Sequence, residues 1–336
     1  MEQVAATPVA FVRAMILAYE KYGKPPDAAL RQAQITPELL AMPDGRITAM
    51  QMETLSALAM QELDDEALGW FSRPLPWGSY GMLCRASLTS PTLGLALKRW
   101  CRHHRLLTDD LAHGMSVNGG VAELVIEERR DLGAMREFCL ITSLRFVVGY
   151  ACWLIDSRID LAETAFAFAA PPHADVYPLL FSPGPVRFGA EQTGIRFDAR
   201  YLDLAPRRDE QSMTAMLKRA LPLTVLKYRR DRLLAERARE CLRRSPHSAA
   251  SLAGELNLSV RSLYRQFQEE GTSLQALKDE VRRDRALDLL RRTGKPIKQI
   301  AREVGFRNEK SFARAFRTWT GLAPSACRSG FPFFPR

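Results

Sequence analysis

Apolar residues recur at helical spacing through the first hundred positions and again through the last hundred, with a stretch of alternating pattern between. Helices are expected over 8–22, 26–34, 37–42, 48–63, 66–71, 79–88 and 92–104, with Pro74 and Pro76 breaking the series. Strand signals then begin. The runs 106–117 and 121–127 flank Asn118-Gly119-Gly120, a strong hairpin signal. A helix is expected over 134–156, with Phe138, Ile141, Arg145, Val148, Cys152 and Ile155 down one side. Phe166 and Phe168 alternate with alanine in a further strand, and Ile195 and Phe197 alternate in another. The order implies an α+β domain whose small, mainly antiparallel sheet is covered on one side by the long helix.

The last hundred residues carry one helix-turn-helix pattern twice. Leu252 and Ala253 lead through Leu256 to a turn at Asn257, then to a helix bearing Leu263 and Phe267; Ile300 and Ala301 lead through Val304 to Gly305, then to Phe312, Phe316 and Trp319. Asn and Gly tolerate the left-handed backbone that ends a helix. Ser259 and Asn308 are suited to cap the second helix of each copy. The apolar residues at i, i+4 and i+7 must be buried, which leaves Arg261, Tyr264, Arg265 and Gln268 outward in one copy and Lys310, Ala313, Arg314 and Arg317 in the other. A lone basic face is as readily a solvated surface. Two at one offset point to DNA. Between the copies, 273–292 reads as one helix with Leu274, Leu277 and Val281 on one face early and Ala286, Leu287 and Leu290 on the opposite face late, stopped by Gly294 and Pro296. Such a helix packs on both copies and fixes their relation.

Charge divides the same way. Residues 226–336 hold 25 Lys plus Arg against 12 Asp plus Glu, whereas residues 1–225 hold 23 against 26. The basic excess lies with the doubled pattern, as phosphate neutralisation requires. No helix pairs a basic face with a lipid-facing aromatic one, so no membrane partner is expected.

The stretch 252–328, with Ile300-Ala301, Val304-Gly305-Phe306, Phe312-Ala313-Arg314-Ala315-Phe316 and Gly321-Leu322-Ala323-Pro324-Ser325, resembles the DNA-binding domain of the AraC/XylS transcription regulators. That resemblance implies two recognition helices entering adjacent major-groove segments of double-stranded promoter DNA. By position it points to Arg261, Tyr264 and Arg265, and to Glu309, Lys310, Ser311 and Arg314; Gln268, Asn308 and Arg317 complete the candidate contacts. Ala313 departs from a polar residue often found there. Asp44-Gly45-Arg46-Ile47, the run 76–81 and Ser90-Pro91-Thr92-Leu93 resemble the arabinose-binding, ornithine-utilisation type of N-terminal domain in the same family. This implies a homodimer and a small-molecule effector, without naming the effector or its residues. RNA polymerase is a further partner if the regulator is an activator.

Expected domains are 1–205 for sensing and dimerisation, 206–227 as junction and 228–330 for DNA binding. Arg13 interrupts the first apolar stretch, so no signal peptide is read and a cytoplasmic place is expected. The longest uninterrupted apolar run, 146–155, is too short to cross a bilayer. Six dispersed cysteines suggest buried thiols, and the five histidines lack metal-ligand spacing. No nucleophile elbow, phosphate-binding loop or paired-carboxylate site appears, so neither enzyme activity nor a cofactor is expected. Trp77, Tyr80, Trp100, Tyr150, Trp153, Phe166 and Phe168 are either core or pocket walls, and Arg145 either meets an anionic effector or pairs with a carboxylate. The rival reading is a constitutive dimeric DNA-binding scaffold controlled by abundance or by a protein partner.

Overall fold

The computed structural model of the chain describes residues 6–181, 183–218 and 231–329. It divides into two compact units, Met1–Asp231 and Arg232–Arg336. The first unit opens with α1 (Val9–Lys21), α2 (Asp27–Gln32), α3 (Pro37–Ala41) and α4 (Ala49–Leu63); β1 (Thr7–Pro8) pairs with β2 (Arg46–Ile47). α4 starts at a capping box, in which Thr48 Oγ1 accepts from Gln51 N at 3.2 Å and Gln51 Oε1 accepts from Thr48 N at 2.9 Å.

The stretch 66–71, expected to be helical, is a run of turns. Asp65 is the reason. Its buried carboxylate accepts from the amides of Ala67 (2.9 Å), Gly69 (2.6 Å) and Leu75 (2.8 Å) and from the Tyr22 hydroxyl (2.8 Å), drawing those donors away from helical partners. α5 (Ser79–Leu88) and α6 (Leu93–Leu107) follow. Because α6 runs on to Leu107, the first strand of the larger sheet begins at 111 and not at 106.

β3 (Leu111–Asn118) and β4 (Val121–Glu128) form the expected hairpin, with Gly119 and Gly120 at φ of 57° and 81°, the positive values that a tight two-residue turn demands. With β5 (Leu161–Phe166), β6 (Val186–Phe188) and β7 (Thr193–Asp198) they make one sheet of order β3-β4-β7-β5-β6. Only the β5–β6 pair is parallel, and β6 was not expected from the pattern. α7 (Arg136–Ile155) is more central than a cover: 16 of its 20 residues are buried, with α6 and β7 packed against it. Although Gly133–Ile155 is long and apolar enough to span a bilayer, 89% of its most apolar window is buried in the protein, as suits a core helix.

Tyr80 meets Trp100 edge to face at 5.8 Å, and Trp100, Tyr150 and Trp153 stack in sequence with ring centroids 5.1 and 6.0 Å apart. Phe166 and Phe168 join a separate cluster with Phe181, Phe188 and Tyr177 of α8 (Tyr177–Leu180). Arg145 is buried, donates to the Leu180 carbonyl at 2.8 Å and lies 5.8 Å from the centre of the Phe181 ring. All six cysteines are buried and unbridged, and burial pushes the thiols of Cys101 and Cys152 up to about 11.

His104 and His113, from α6 and β3, meet edge to face at 4.3 Å. Burial lowers His104 to about 4 from its ordinary 6.5, and burial with the His104 neighbour takes His113 well below that value too. Both are therefore neutral when folded but protonate in the unfolded chain, so they are expected to destabilise the unit as pH falls from about 6.5 through about 4. The raised Glu66 carboxyl acts in the opposite sense. The check is the pH slope of urea stability in the native chain minus that in His104→Phe. An identical slope would contradict the lowered value.

α9 (Glu210–Leu217) is capped by Asp209, whose Oδ1 accepts from Ser212 N at 2.8 Å, and buries Met213 and Met216. Leu221, Pro222 and Tyr228, which the sequence reading placed in an apolar stripe and a basic helix, lie outside the described residues, as does the Phe-rich tail 331–336. The second unit consists of α10 (Leu234–Arg244), α11 (Ala249–Glu255), α12 (Val260–Glu269), α13 (Leu274–Arg292), α14 (Ile297–Glu303), α15 (Glu309–Thr320) and α16 (Pro324–Ser329).

Candidate nucleic-acid interface

Two turns of near-identical construction position the second unit's surface helices. In the first, Asn257 takes φ of 54° and Leu258 N donates back to Ala253 O at 2.8 Å; in the second, Gly305 takes φ of 86° and Phe306 N donates to Ala301 O at 2.8 Å. Left-handed backbone at these residues is what turns the chain sharply. Ser259 then caps α12 by accepting from Ser262 N at 3.1 Å, and Asn308 caps α15 by accepting from Ser311 N at 2.8 Å. The extra residue of the second copy, Arg307, sits between turn and cap.

Each copy has its own small core. Leu252, Ala253, Leu256, Leu263 and Phe267 close the first with residues of α10, while Ile300, Ala301, Val304, Phe312 and Phe316 close the second. α13 serves both, placing Leu274 and Leu277 in the first and Ala286 and Leu290 in the second. Its polar residues divide likewise: Glu280 pairs with Arg239 of α10 at 2.7 Å, and the Arg282 guanidinium lies 5.5 Å from the centre of the Phe306 ring. α13 ends differently from the expected glycine stop. Thr293 is extended, and its hydroxyl donates to the Leu289 carbonyl at 2.6 Å.

All ten candidate contact residues are exposed. Arg261, Tyr264, Arg265 and Gln268 share the outer face of α12, and Lys310, Arg314 and Arg317 that of α15, where Glu309 and Ser311 flank the cap Asn308. Arg265 holds a loose 3.6 Å pair with Glu269, while Arg261, Lys310, Arg314 and Arg317 have no ion pair among the described residues. Cations left without internal partners are free to neutralise phosphates or to pair with guanine edges.

Asn308 carries two assignments, as a cap and as a DNA contact. Its Oδ1 is committed to the cap. Asn308→Ala is expected to cost about 1 kcal/mol of stability and Asn308→Ser little, since Ser also caps. Thermal melts beside DNA titrations decide: full DNA affinity in Asn308→Ser makes it a cap alone, and a stable protein that has lost operator preference makes it a base contact.

Two capped, basic-faced recognition helices on one rigid strut define a double helix-turn-helix DNA-binding protein. Comparison with known families agrees. Residues 23–205 match the arabinose-binding domain of AraC transcription regulators, and residues 252–330 match a helix-turn-helix domain family. The chain belongs to the AraC family of transcription regulators. It is 29% identical to the ornithine utilization regulator of Pseudomonas aeruginosa over 325 residues, 96% of each chain. Over 74 residues, 22% of each chain, it is 43% identical to the HTH-type regulator Rv1395 of Mycobacterium tuberculosis. The solved structure of the regulator CdpR from Pseudomonas aeruginosa is 21% identical across 90% of this chain and 96% of that one, with a TM-score of 0.33.

Proposed function

We propose that this DNA-binding regulator reads promoter DNA with both α12 and α15, each in a major-groove segment, the two segments about one helical turn or roughly 10 base pairs apart. The observation that carries the proposal is the repetition of turn, cap and cationic stripe on helices joined by α13. Arg265 and Arg314 are the foremost base readers. Arg261, Tyr264, Glu309, Lys310 and Ser311 share the groove-facing side with them, Lys310 suiting a phosphate as readily as a base, and Gln268, Asn308 and Arg317 complete the contact face. Residues 1–205 respond to an effector and dimerise, 206–227 join, and 228–330 bind DNA in the cytoplasm. The N-terminal family match supports the sensing role and weighs against a constitutive scaffold.

The test is sequencing of genomic fragments retained by the purified protein at moderate salt. Recovery of a motif with two short elements about ten base pairs apart supports the doubled reader. Retention without any motif would leave only backbone binding and return the scaffold reading.

A further inference from the structure

Behind α5 and α6 the first unit contains a small chamber of about 50 Å³, walled mainly by apolar side chains with a few polar atoms among them. Four side chains that line it, Trp70, Trp100, His104 and His113, are more than nine-tenths buried. Nε1 of both indoles, Nδ1 of His104 and both ring nitrogens of His113 have no hydrogen-bond partner among the described residues. Buried donors and acceptors are nearly always paired in folded proteins, so a cluster of such atoms around one chamber calls for an occupant.

The chamber adjoins a cleft of about 420 Å³, a volume typical of small-molecule sites. Glu66, Tyr80 and Phe146 line both spaces. The far wall of the cleft is the end of α9, which supplies Thr214, Leu217 and the adjacent Lys218. α9 is held to α5 by the Arg85–Glu210 pair at 2.8 Å and by Leu217 lying over Gly81. The chain runs on from α9 toward the DNA-binding unit.

We propose that chamber and cleft together form the effector site, and that it takes a neutral molecule whose carbonyl or hydroxyl head enters the chamber while its apolar body lies in the cleft against Tyr80, Phe146 and Leu217. The charge of the site selects the class. Indole N–H groups present positive ends and repel a cation. Both imidazoles are neutral, burial raises the Glu66 carboxyl toward its neutral form, and among the described residues no Lys or Arg lines the chamber to balance an anionic head; Arg85 and Lys218 line only the cleft. Size fixes the division of the ligand: a 150 Å³ apolar cavity holds benzene, so the chamber admits only a few heavy atoms and the rest must lie in the cleft. A bound body bridges α5 to α9 and so biases the segment that leads to the DNA-binding unit. This assignment rests on the effector-responsive reading above.

The experiment uses the full chain and four probes of one shape: cyclohexanone, cyclohexanol, cyclohexylamine and cyclohexanecarboxylate, each at 10 mM. Thermal stability, tryptophan fluorescence and promoter-DNA affinity are read for each. The neutral pair should raise Tm by a few degrees and shift the tryptophan emission, with the charged pair inert. The Tm rise should be lost in Trp100→Phe, which removes the N–H and keeps a ring, and kept in Trp153→Phe, whose ring lines neither space. Equal response to all four probes, or to none while the chamber holds water alone, overturns the site. Neutral probes that bind as expected but leave DNA affinity unchanged overturn the effector reading and leave the site standing.

Discussion

The double variant Arg265→Ala/Arg314→Ala is expected to lose about 2–6 kcal/mol of binding at a selected promoter site, with nearly full binding to random DNA retained. Each arginine, if bidentate to a guanine edge, contributes about 1–3 kcal/mol of discrimination. The two lie in separate subdomains with separate cores, so their effects should add. Both are exposed, and Arg265 makes only a loose pair with Glu269, so stability should change by less than about 0.5 kcal/mol. Fluorescence titration at fixed salt against promoter and scrambled duplexes reads the difference. Equal weakening on both, with the salt slope reduced by about one per arginine, would reassign them to phosphates.

Phe316→Ala should be among the most damaging single changes in the DNA-binding unit, at about 3–5 kcal/mol. Its ring is fully buried, 5.6 Å from that of Phe312, in a small core that counts eight buried residues among those described. A loss of that size is a large fraction of the 5–15 kcal/mol that ordinarily holds a domain. Hydrogen exchange should show amides of α14, α15 and α16 losing protection while those of the β3–β4–β7 sheet keep theirs. Unchanged protection in α15 would show that the second core does not depend on this ring.

How much was legible differs between the two units, for a physical reason. In the DNA-binding unit the decisive hydrogen bonds span three to five residues: Ser259 to Ser262, Asn308 to Ser311, Leu258 to Ala253 and Phe306 to Ala301. Short-range chemistry of this kind is written in adjacent residue types, and its repetition makes it recognisable. The hairpin at Gly119 and Gly120 was legible for the same reason. The turns over 66–71 were not, because the Asp65 carboxylate that organises them also reaches Leu75 and the Tyr22 hydroxyl, and local propensity carries no trace of such partners. α7 presented a readable stripe, yet burial on nearly all sides depends on neighbours that the stripe does not reveal.

The candidate sites divide likewise. All ten proposed DNA contacts could be named from periodicity and family resemblance, since the face opposite a buried helical stripe must be exposed. The chamber could not. His104 and His113 were read as lacking ligand spacing, and their meeting depends on how far α6 runs before β3 begins. Trp70 comes from a turn read as helix, and Trp100 was left between core and pocket wall.

By itself, then, the sequence determined the family, the doubled helix-turn-helix, its caps and its outward cations, because these rest on contacts between near neighbours in the chain. Tertiary structure alone decided where polar atoms would be buried without partners and which helix would close the cleft beside them. Those outcomes come from burying segments distant in sequence against one another, and burial has no direction that local residue order can encode.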